Sequence, residues 1–260
     1  MARVVVTGAS GLLGRHTLAA WPTSLEAVVP GRAEFDLLAP GAFARLIREF
    51  RPDAVLHLAW SASSTPGYRS SPANALWLTA SRDAARVCLD EGVRFFGTGS
   101  VVDERPDDEG LGDDAYSASK RSLRAELAGA IAAGELTWLR PHYVFDPDAA
   151  SPAVLREART ARAEGRPVEL STPDAAHDFI HASDVGRGVV ASVVEGLAGV
   201  VDIGSGRVRT VGALVSAFGA SWTAGLESSS APVDSAVADT GTLRATGWSP
   251  YATEQFFAER

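Results

Sequence analysis

Apolar positions in the first half of the chain alternate between short continuous runs and longer stretches at helical spacing. Arg3-Val4-Val5-Val6, Glu26-Ala27-Val28-Val29, the run Ala54 to Trp60, Val93 to Thr98 and Glu135 to Arg140 have the short β-branched or aromatic character of buried strands. Between them, residues 15–20, 40–50, 72–91 and 115–133 read as helices, the second with Phe43, Leu46, Ile47 and Phe50 on one face. Pro72 opens the third of these and Gly92 closes it, the positions at which helices favour those residues. Strand and helix thus alternate from residue 3 to residue 140, which predicts an α/β fold with a parallel sheet covered on both faces. Beyond Pro141 the rhythm loosens. Helices are expected over 152–165, 185–196 and 211–218, with strands at Val168-Glu169-Leu170 and Val200-Val201-Asp202-Ile203. The tail from Ser221 to Arg260 is rich in Ala, Ser and Pro and has no clear pattern.

Composition narrows the function classes. A chain of 260 residues, 46% apolar and 22% charged, fits a soluble globular protein with one large domain or a domain plus a small lobe. A net charge of −8 argues against a nucleic-acid partner, because there is no basic excess to neutralise phosphates. The single cysteine, Cys88, excludes an intrachain disulfide and suits a reducing cytoplasm, and its helical setting beside Val87 and Leu89 reads as a small buried hydrophobe. The first strand starts at residue 3, so no signal peptide is expected, and no apolar run is long enough to span a bilayer. A cytoplasmic protein without a membrane partner is the expectation.

Two motifs carry chemistry. Thr7-Gly8-Ala9-Ser10-Gly11-Leu12-Leu13-Gly14 follows the first strand and leads into a helix, so Gly8, Gly11 and Gly14 are placed on a strand-to-helix turn. Such a turn brings backbone N–H groups to a diphosphate at a helix N-terminus. The Gly-x-x-Gly-x-x-Gly spacing departs from the plain Gly-x-Gly-x-x-Gly fingerprint, and a tight turn without a ligand is the competing reading. The second motif is Tyr116-Ser117-Ala118-Ser119-Lys120, in which a phenol and an ammonium share a helix face. A free tyrosine, with a pKa near 10, is a poor base at neutral pH, and a fixed cation favours the phenolate. A pair of this kind can pass a proton to or from a hydroxyl.

With these residues in view, the chain resembles the extended short-chain dehydrogenase/reductase family of NAD(P)-dependent sugar-nucleotide epimerases, dehydratases and reductases. The matching blocks are the turn from Thr7 to Gly14; Arg51-Pro52-Asp53 leading into Leu56-His57-Leu58-Ala59; Asn74; Thr98-Gly99-Ser100-Val101; Tyr116 with Lys120; Leu139-Arg140-Pro141-His142-Tyr143-Val144-Phe145; Asp178-Phe179-Ile180-His181 with Asp184-Val185; Asp202-Ile203-Gly204-Ser205-Gly206; and Gly247-Trp248-Ser249-Pro250. The resemblance implies a Rossmann-type doubly wound sheet over 1–145, joined by 177–205. A small C-terminal substrate-binding lobe would then come from 146–176 and 206–260.

The resemblance also implies roles. Tyr116 would be the catalytic acid/base. Lys120 would bond the nicotinamide ribose and lower the tyrosine pKa. Thr98 would orient the reacting oxygen, with Ser100 the nearby alternative. Gly8, Ser10, Gly11, Leu12, Leu13 and Gly14 would cradle the diphosphate. Asp36 and Leu37 would meet the adenine, and Leu58, Ala59 and Trp60 would border the cofactor. Asn74 would hold the active-site backbone, and Pro141 and Val144 would flank the nicotinamide. Ser100, His142, Tyr143 and His177 are the substrate-side candidates, His177 standing where the family usually has Arg. A homodimer through the Tyr116 helix and its predecessor is a further implication.

Cofactor choice follows from charge. No acid ends the second strand, where Val29-Pro30-Gly31-Arg32 stands, and Arg32 could meet a 2′-phosphate. NADP is therefore favoured over NAD, with Glu34 nearby as the counter-argument. The direct step from the second strand to Asp36-Leu37, and the Arg51-Pro52-Asp53 run, resemble dTDP-4-dehydrorhamnose reductase-like enzymes more than the epimerases. Dehydratases of the family follow their threonine with Asp-Glu. Here Gly99-Ser100 follow Thr98, so no dehydratase activity is expected. The expected function is reduction of a ketone on a nucleotide-linked sugar or similar small molecule. An NAD-dependent epimerase and a non-catalytic NAD(P)-binding regulatory subunit are the alternatives.

Several side chains have bland readings beside their functional ones. Trp60 and Trp77 fit core packing, though Trp60 could narrow a substrate pocket. Arg69, Arg156, Arg159, Arg207 and Arg209 are candidates for substrate phosphates and equally surface residues. Asp107-Asp108-Glu109 belong to an acidic loop from Asp103 to Asp114. His57 fits a satisfied core histidine, and His16, His142 and His181 have no metal-ligand spacing, so no metal is expected.

Overall fold

β1 (Ala2–Thr7) opens the chain in a computed structural model that describes residues 1–61, 67–104, 114–149, 151–225 and 236–258. It is followed by α1 (Leu12–Ala19), β2 (Leu25–Val28), α2 (Ala42–Phe50), β3 (Ala54–His57), α3 (Ala73–Asp90) and β4 (Arg94–Thr98). Next come α4 (Ala115–Glu126), α5 (Ala128–Ala132), β5 (Leu136–Pro141), β6 (Tyr143–Phe145), α6 (Ala153–Glu164), β7 (Val168–Leu170), β8 (Ala176–His177) and β9 (Phe179–His181). The chain closes with α7 (Ala182–Val194), β10 (Gly199–Ile203), β11 (Arg209–Thr210), α8 (Val211–Ala217), β12 (Trp222–Ala224), α9 (Gly241–Arg244) and α10 (Tyr251–Ala258). Short 3-10 turns lie at Tyr68–Ser70 and Val101–Glu104. Among the described residues no helix is long and apolar enough to cross a membrane.

The central sheet has the order β10-β5-β4-β3-β1-β2, and β1 to β5 pair in parallel. This is the doubly wound, Rossmann-like arrangement expected from the alternating pattern. Its register sets Val28, Val5, Val55, Phe95 and Leu136 in one row across five strands. That row belongs to the main core, closed by Phe43, Leu46 and Ile47 of α2, Ala84, Ala85 and Cys88 of α3, and Leu123, Leu127 and Ile131. Burial pushes the Cys88 thiol up to about 12, so it is an inert hydrophobe. Two residues further along each strand, the next row on the same face is Thr7, His57, Gly97 and Trp138. The sheet face thus takes on polar groups, Thr7 and His57, at the carboxyl ends of β1 and β3. β1 lies between β2 and β3, so the winding reverses there, and open α/β sheets hold ligands at such a reversal.

The chain divides into two compact units, Met1–Arg140 with Gly186–Val201, and Pro141–Val185 with Asp202–Arg260. The breaks at 140/141, 185/186 and 201/202 differ from the expected 145/146, 176/177 and 205/206. The second unit has three two-stranded sheets: β6 with β9, β7 with β12, and β8 with β11. Phe145, Leu155, Phe179 and Leu214 form one of its apolar clusters, and Ala158, Ala161, Val168, Leu170, Val215 and Ala220 another.

Local chemistry explains several boundaries. α2 ends at Arg51 in the left-handed region (φ 44°, ψ 57°), and Pro52 cannot continue a helix. The helix expected over 115–133 is two helices, broken where Leu127 leaves helical geometry at φ −91° and ψ 0° and turns into the core. The first helix begins at Leu12 rather than Arg15, which places Gly14 inside the helix and not on the turn. Strands of two or three residues, such as β6, β8, β9 and β11, are set by their partners and leave no periodic signal. In the tail, β12, α9 and α10 are ordered elements. Asp107, Asp108 and Glu109 lie outside the described residues.

Candidate active site

Gly8 ends β1 at φ 73°, and a Cβ there would come within 2.5 Å of the Ala59 nitrogen just past β3. Any side chain would push β1 and β3 apart, so the residue must be glycine. Gly14 is buried on α1, where a Cβ would overlap the Gly8 carbonyl and Ala9. The turn is closed by Gly11 N–H donating to the Gly8 carbonyl at 3.0 Å. Gly11 caps α1 without a side-chain hydrogen bond, whereas α4 and α8 are capped by Asp114 and Thr210. Ser10 and Gly11 are exposed. An exposed helix start with no side chain on its N–H groups fits an anionic diphosphate. Arg32 is exposed in the turn after β2, and Asp36 Oδ1 accepts the Leu38 N–H at 3.2 Å.

Thr7 and His57 face each other across β1 and β3, with Thr7 Oγ1 2.7 Å from His57 Nδ1. The other ring nitrogen lies 2.9 Å from Ser81 Oγ on α3. Burial, with the Lys120 charge as a second cause, takes the His57 pKa down to about 3. The imidazole is therefore a neutral, satisfied core group. His57 also accepts, through its carbonyl, the Thr98 hydroxyl at 2.9 Å.

The Tyr-Lys pair lies at the start of α4. Asp114 caps this helix, its carboxylate accepting the Ser117 N–H at 2.9 Å and the Ser117 hydroxyl at 3.1 Å. Lys120 is 3% exposed. Its Nζ donates to the Thr98 carbonyl at 2.7 Å and lies 3.8 Å from the centre of the Trp60 ring. Trp60 is in turn fixed by its N–H, which donates to Asn74 Oδ1 at 2.9 Å, and it stacks on Trp77 at 6.5 Å. Asn74 closes the arrangement by donating to the Tyr68 and Ser71 carbonyls at 2.7 and 3.0 Å. Burial pushes the Lys120 amine down to about 7, and the nearby Asp103 charge works against that fall.

Tyr116 has the edges of Tyr68 and Trp60 against it at 5.3 and 6.1 Å, and the Arg69 guanidinium 5.9 Å from its centre. Its hydroxyl is hydrogen-bonded to the Ser100 side chain. Burial is the largest influence on this phenol and raises its pKa above the ordinary value, while the Ser100 bond lowers it and Tyr68 raises it further. Burial thus outweighs the lowering expected from Lys120 and holds the phenol above its ordinary pKa. Ser100, rather than Thr98, is the hydroxyl at the phenol, since Thr98 is turned onto the His57 carbonyl.

Of the arginines weighed for phosphate binding, Arg69 pairs with Asp114 at 2.8 Å, and Arg207 and Arg209 both pair with Glu254. Arg159 donates to the Pro147 and Asp148 carbonyls, and Arg156 is exposed. Asp103 was missed as a site residue. It is 6% exposed, and its Oδ2 accepts the Ser100 N–H and the Trp138 indole N–H, both at 2.9 Å. In the sequence it opens an acidic stretch, and nothing in the pattern separates one buried carboxyl from solvated neighbours.

The second unit holds the other candidates. Tyr143 and His177 stack at 3.9 Å, and both meet Phe179. His142 is buried, its Nε2 3.7 Å from Asp202. Pro141 ends β5 and Val144 lies on β6. The family-like Asp178 and Asp184 are structural here. Asp178 accepts the Ser205, Gly206 and Ala238 N–H groups and the Ser205 hydroxyl at 2.6–3.0 Å. Asp184 accepts the Ala252 and Thr253 N–H groups and the Thr253 hydroxyl at 2.6–3.1 Å.

Comparison with known proteins finds the same fold. The chain is similar to RMD from Pseudomonas aeruginosa, solved with NADPH, at 24% identity over 96% of this chain and 92% of that one, with a TM-score of 0.74. It is similar to Thermus thermophilus UDP-glucose 4-epimerase, solved with NAD, at 22% identity over 99% and 100%, with a TM-score of 0.67. A third similar structure is the GDP-mannoheptose C4 reductase of Campylobacter jejuni with NADP bound, at 17% identity over 96% and 93% and a TM-score of 0.72. At these identities the likeness shows the fold alone. No curated protein matches the chain significantly. The model of the NAD dependent epimerase/dehydratase family matches residues 4–204, and the chain belongs to that family.

Proposed function

We propose that this family member is an NADP-dependent ketoreductase acting on a nucleotide-linked sugar or a similar ketone. The observation that carries the reading is the Tyr116 phenol at the start of α4, with the Ser100 hydroxyl beside it and the buried Lys120 one helical turn away. The reduced nicotinamide dinucleotide, when bound, would supply the hydride for the carbonyl carbon and leave oxidised. Tyr116 gives its proton to the carbonyl oxygen, so one hydride and one proton convert ketone to alcohol. Ser100 holds the phenol and the reacting oxygen in one hydrogen-bonded set. Lys120 bonds the ribose and, as an ammonium, stabilises the phenolate left behind. Gly8, Gly11 and the open start of α1 hold the diphosphate, and Arg32 the 2′-phosphate. No acid pair follows Thr98, which supports reduction without elimination. Within the second unit, the stacked rings of Tyr143 and His177 offer an aromatic surface.

An epimerase is the second reading, since the family whose model matches residues 4–204 is described by that activity as well. The two differ in what happens to the cofactor. A reductase releases it after one turnover, whereas an epimerase oxidises and re-reduces one carbon with a retained cofactor. Mass spectrometry of the nucleotide released from the purified protein tests the proposal. Exchangeable NADP supports the reductase, and stoichiometric, tightly held NAD contradicts it.

A further inference from the structure

Lys120 and Asp103 grip the same three residues. Lys120 Nζ donates to the Thr98 carbonyl, and Asp103 Oδ2 accepts the Ser100 N–H two residues on. Gly99 lies between, and a side chain there would overlap Asp103 Oδ2 and the Trp138 indole. The backbone is thus shaped to let the carboxyl approach. Among the described residues Asp103 Oδ1 is buried without a hydrogen-bond partner, so half of this carboxylate is left to act through its charge. The chain also contains 24 lysines and arginines, of which 23 are arginine, so Lys120 is its only lysine. An arginine keeps its charge through burial, whereas a lysine can lose it and therefore needs a counter-charge to stay an ammonium in a dry site.

We propose that Asp103 is a positioning residue for Lys120: its carboxylate fixes the Thr98–Ser100 backbone and supplies the negative charge that faces the buried ammonium. The inference rests on the reading of Lys120 as the cofactor-side cation, but its test needs no substrate or cofactor. The titratable groups facing Lys120 are Asp103 after β4, Tyr116 on its own helix, and His57 from β3, which is neutral. Asp103 in turn faces Arg140 of β5, and burial raises its own pKa against the pull of its two hydrogen bonds and those cations. Tyr68 and Arg69 face Tyr116.

Protein grown with [13Cε]lysine gives one side-chain signal, with no assignment needed, because there is one lysine. Its titration should show a midpoint near 7 and a second, smaller inflection in the acid range, where Asp103 takes up its proton. In Asp103→Asn and Asp103→Ser the midpoint should fall by about one pH unit or more and the acid inflection should vanish. Trp138→Phe removes a hydrogen bond to the same carboxylate but not its charge, and should leave the midpoint in place. The proposal is overturned if the wild-type signal has no acid inflection, if the midpoint is unchanged in the Asp103 variants, or if Trp138→Phe moves it as far. None of these outcomes depends on whether the protein reduces a ketone, so failure of the ketoreductase reading is seen separately.

Discussion

Both units bury charged side chains, but they treat them differently. In the second unit Asp178 has four donors on its carboxylate, from Ser205, Gly206 and Ala238, and Asp184 three, from Ala252 and Thr253. These carboxylates replace lost hydration fully and tie segments together. In the first unit Lys120 has one carbonyl and an aromatic face, and Asp103 has one oxygen with no described partner. Those groups are buried without full compensation, and the Lys120 amine is displaced far from its ordinary pKa. A buried charge that is fully hydrogen-bonded builds the fold. One that is left short is costly and marks where chemistry is done.

Substitutions can break that comparison, beginning with the largest expected effect. Lys120→Met should abolish turnover yet hold or raise stability at pH 7. The sign follows from proton counting: the unfolded amine keeps its proton up to about 10.5, the folded one only to about 7. Between those values the unfolded state binds more protons at this site, so the Lys120 contribution to stability rises with pH, by on the order of 4–5 kcal/mol across the window, with the buried Cys88 thiol opposing it above about pH 9. Urea unfolding from pH 7 to 10 should show that slope in the wild type and lose it in the variant. Tyr116→Phe should lower turnover roughly 10²–10⁴-fold and leave NADPH affinity unchanged, as read by steady-state rates and fluorescence titration. Asp178→Ala should do the opposite kind of damage. It strands four donors and should cost about 3 kcal/mol or more in a denaturant unfolding curve. The smallest effect sharpens the cofactor assignment: Arg32→Ala should weaken NADPH roughly tenfold and leave NADH alone.

How much of this was legible in the sequence also differs between the units. β1, β3, β4 and β5 are largely buried on both faces, so they stand out as apolar runs, and the row from Val5 to Leu136 follows directly from them. Tyr116 and Lys120 were found because four residues on a helix fix their proximity. Ser100 at the phenol was open between two hydroxyls, since sequence does not say which way Thr98 turns. Asp103 was invisible because burial of a carboxyl depends on Trp138, 35 residues away. In the second unit, strands of two or three residues are defined by their partners alone, which a local pattern cannot carry. Asp178 and Asp184 were noticed as family-like residues, but their structural role depends on donors 27 to 69 residues distant.

The central claim, that Tyr116 and Lys120 serve hydride transfer to a ketone, is tested most directly with NADPH carrying deuterium at the transferable C4 position. Incubated with a panel of keto-sugar nucleotides, the protein should yield an alcohol one mass unit heavier than that from unlabelled NADPH, in proportion to the NADPH oxidised, and Tyr116→Phe should not. Conversion of a nucleotide sugar without deuterium gain, or no conversion by wild-type protein that binds NADPH, would contradict it.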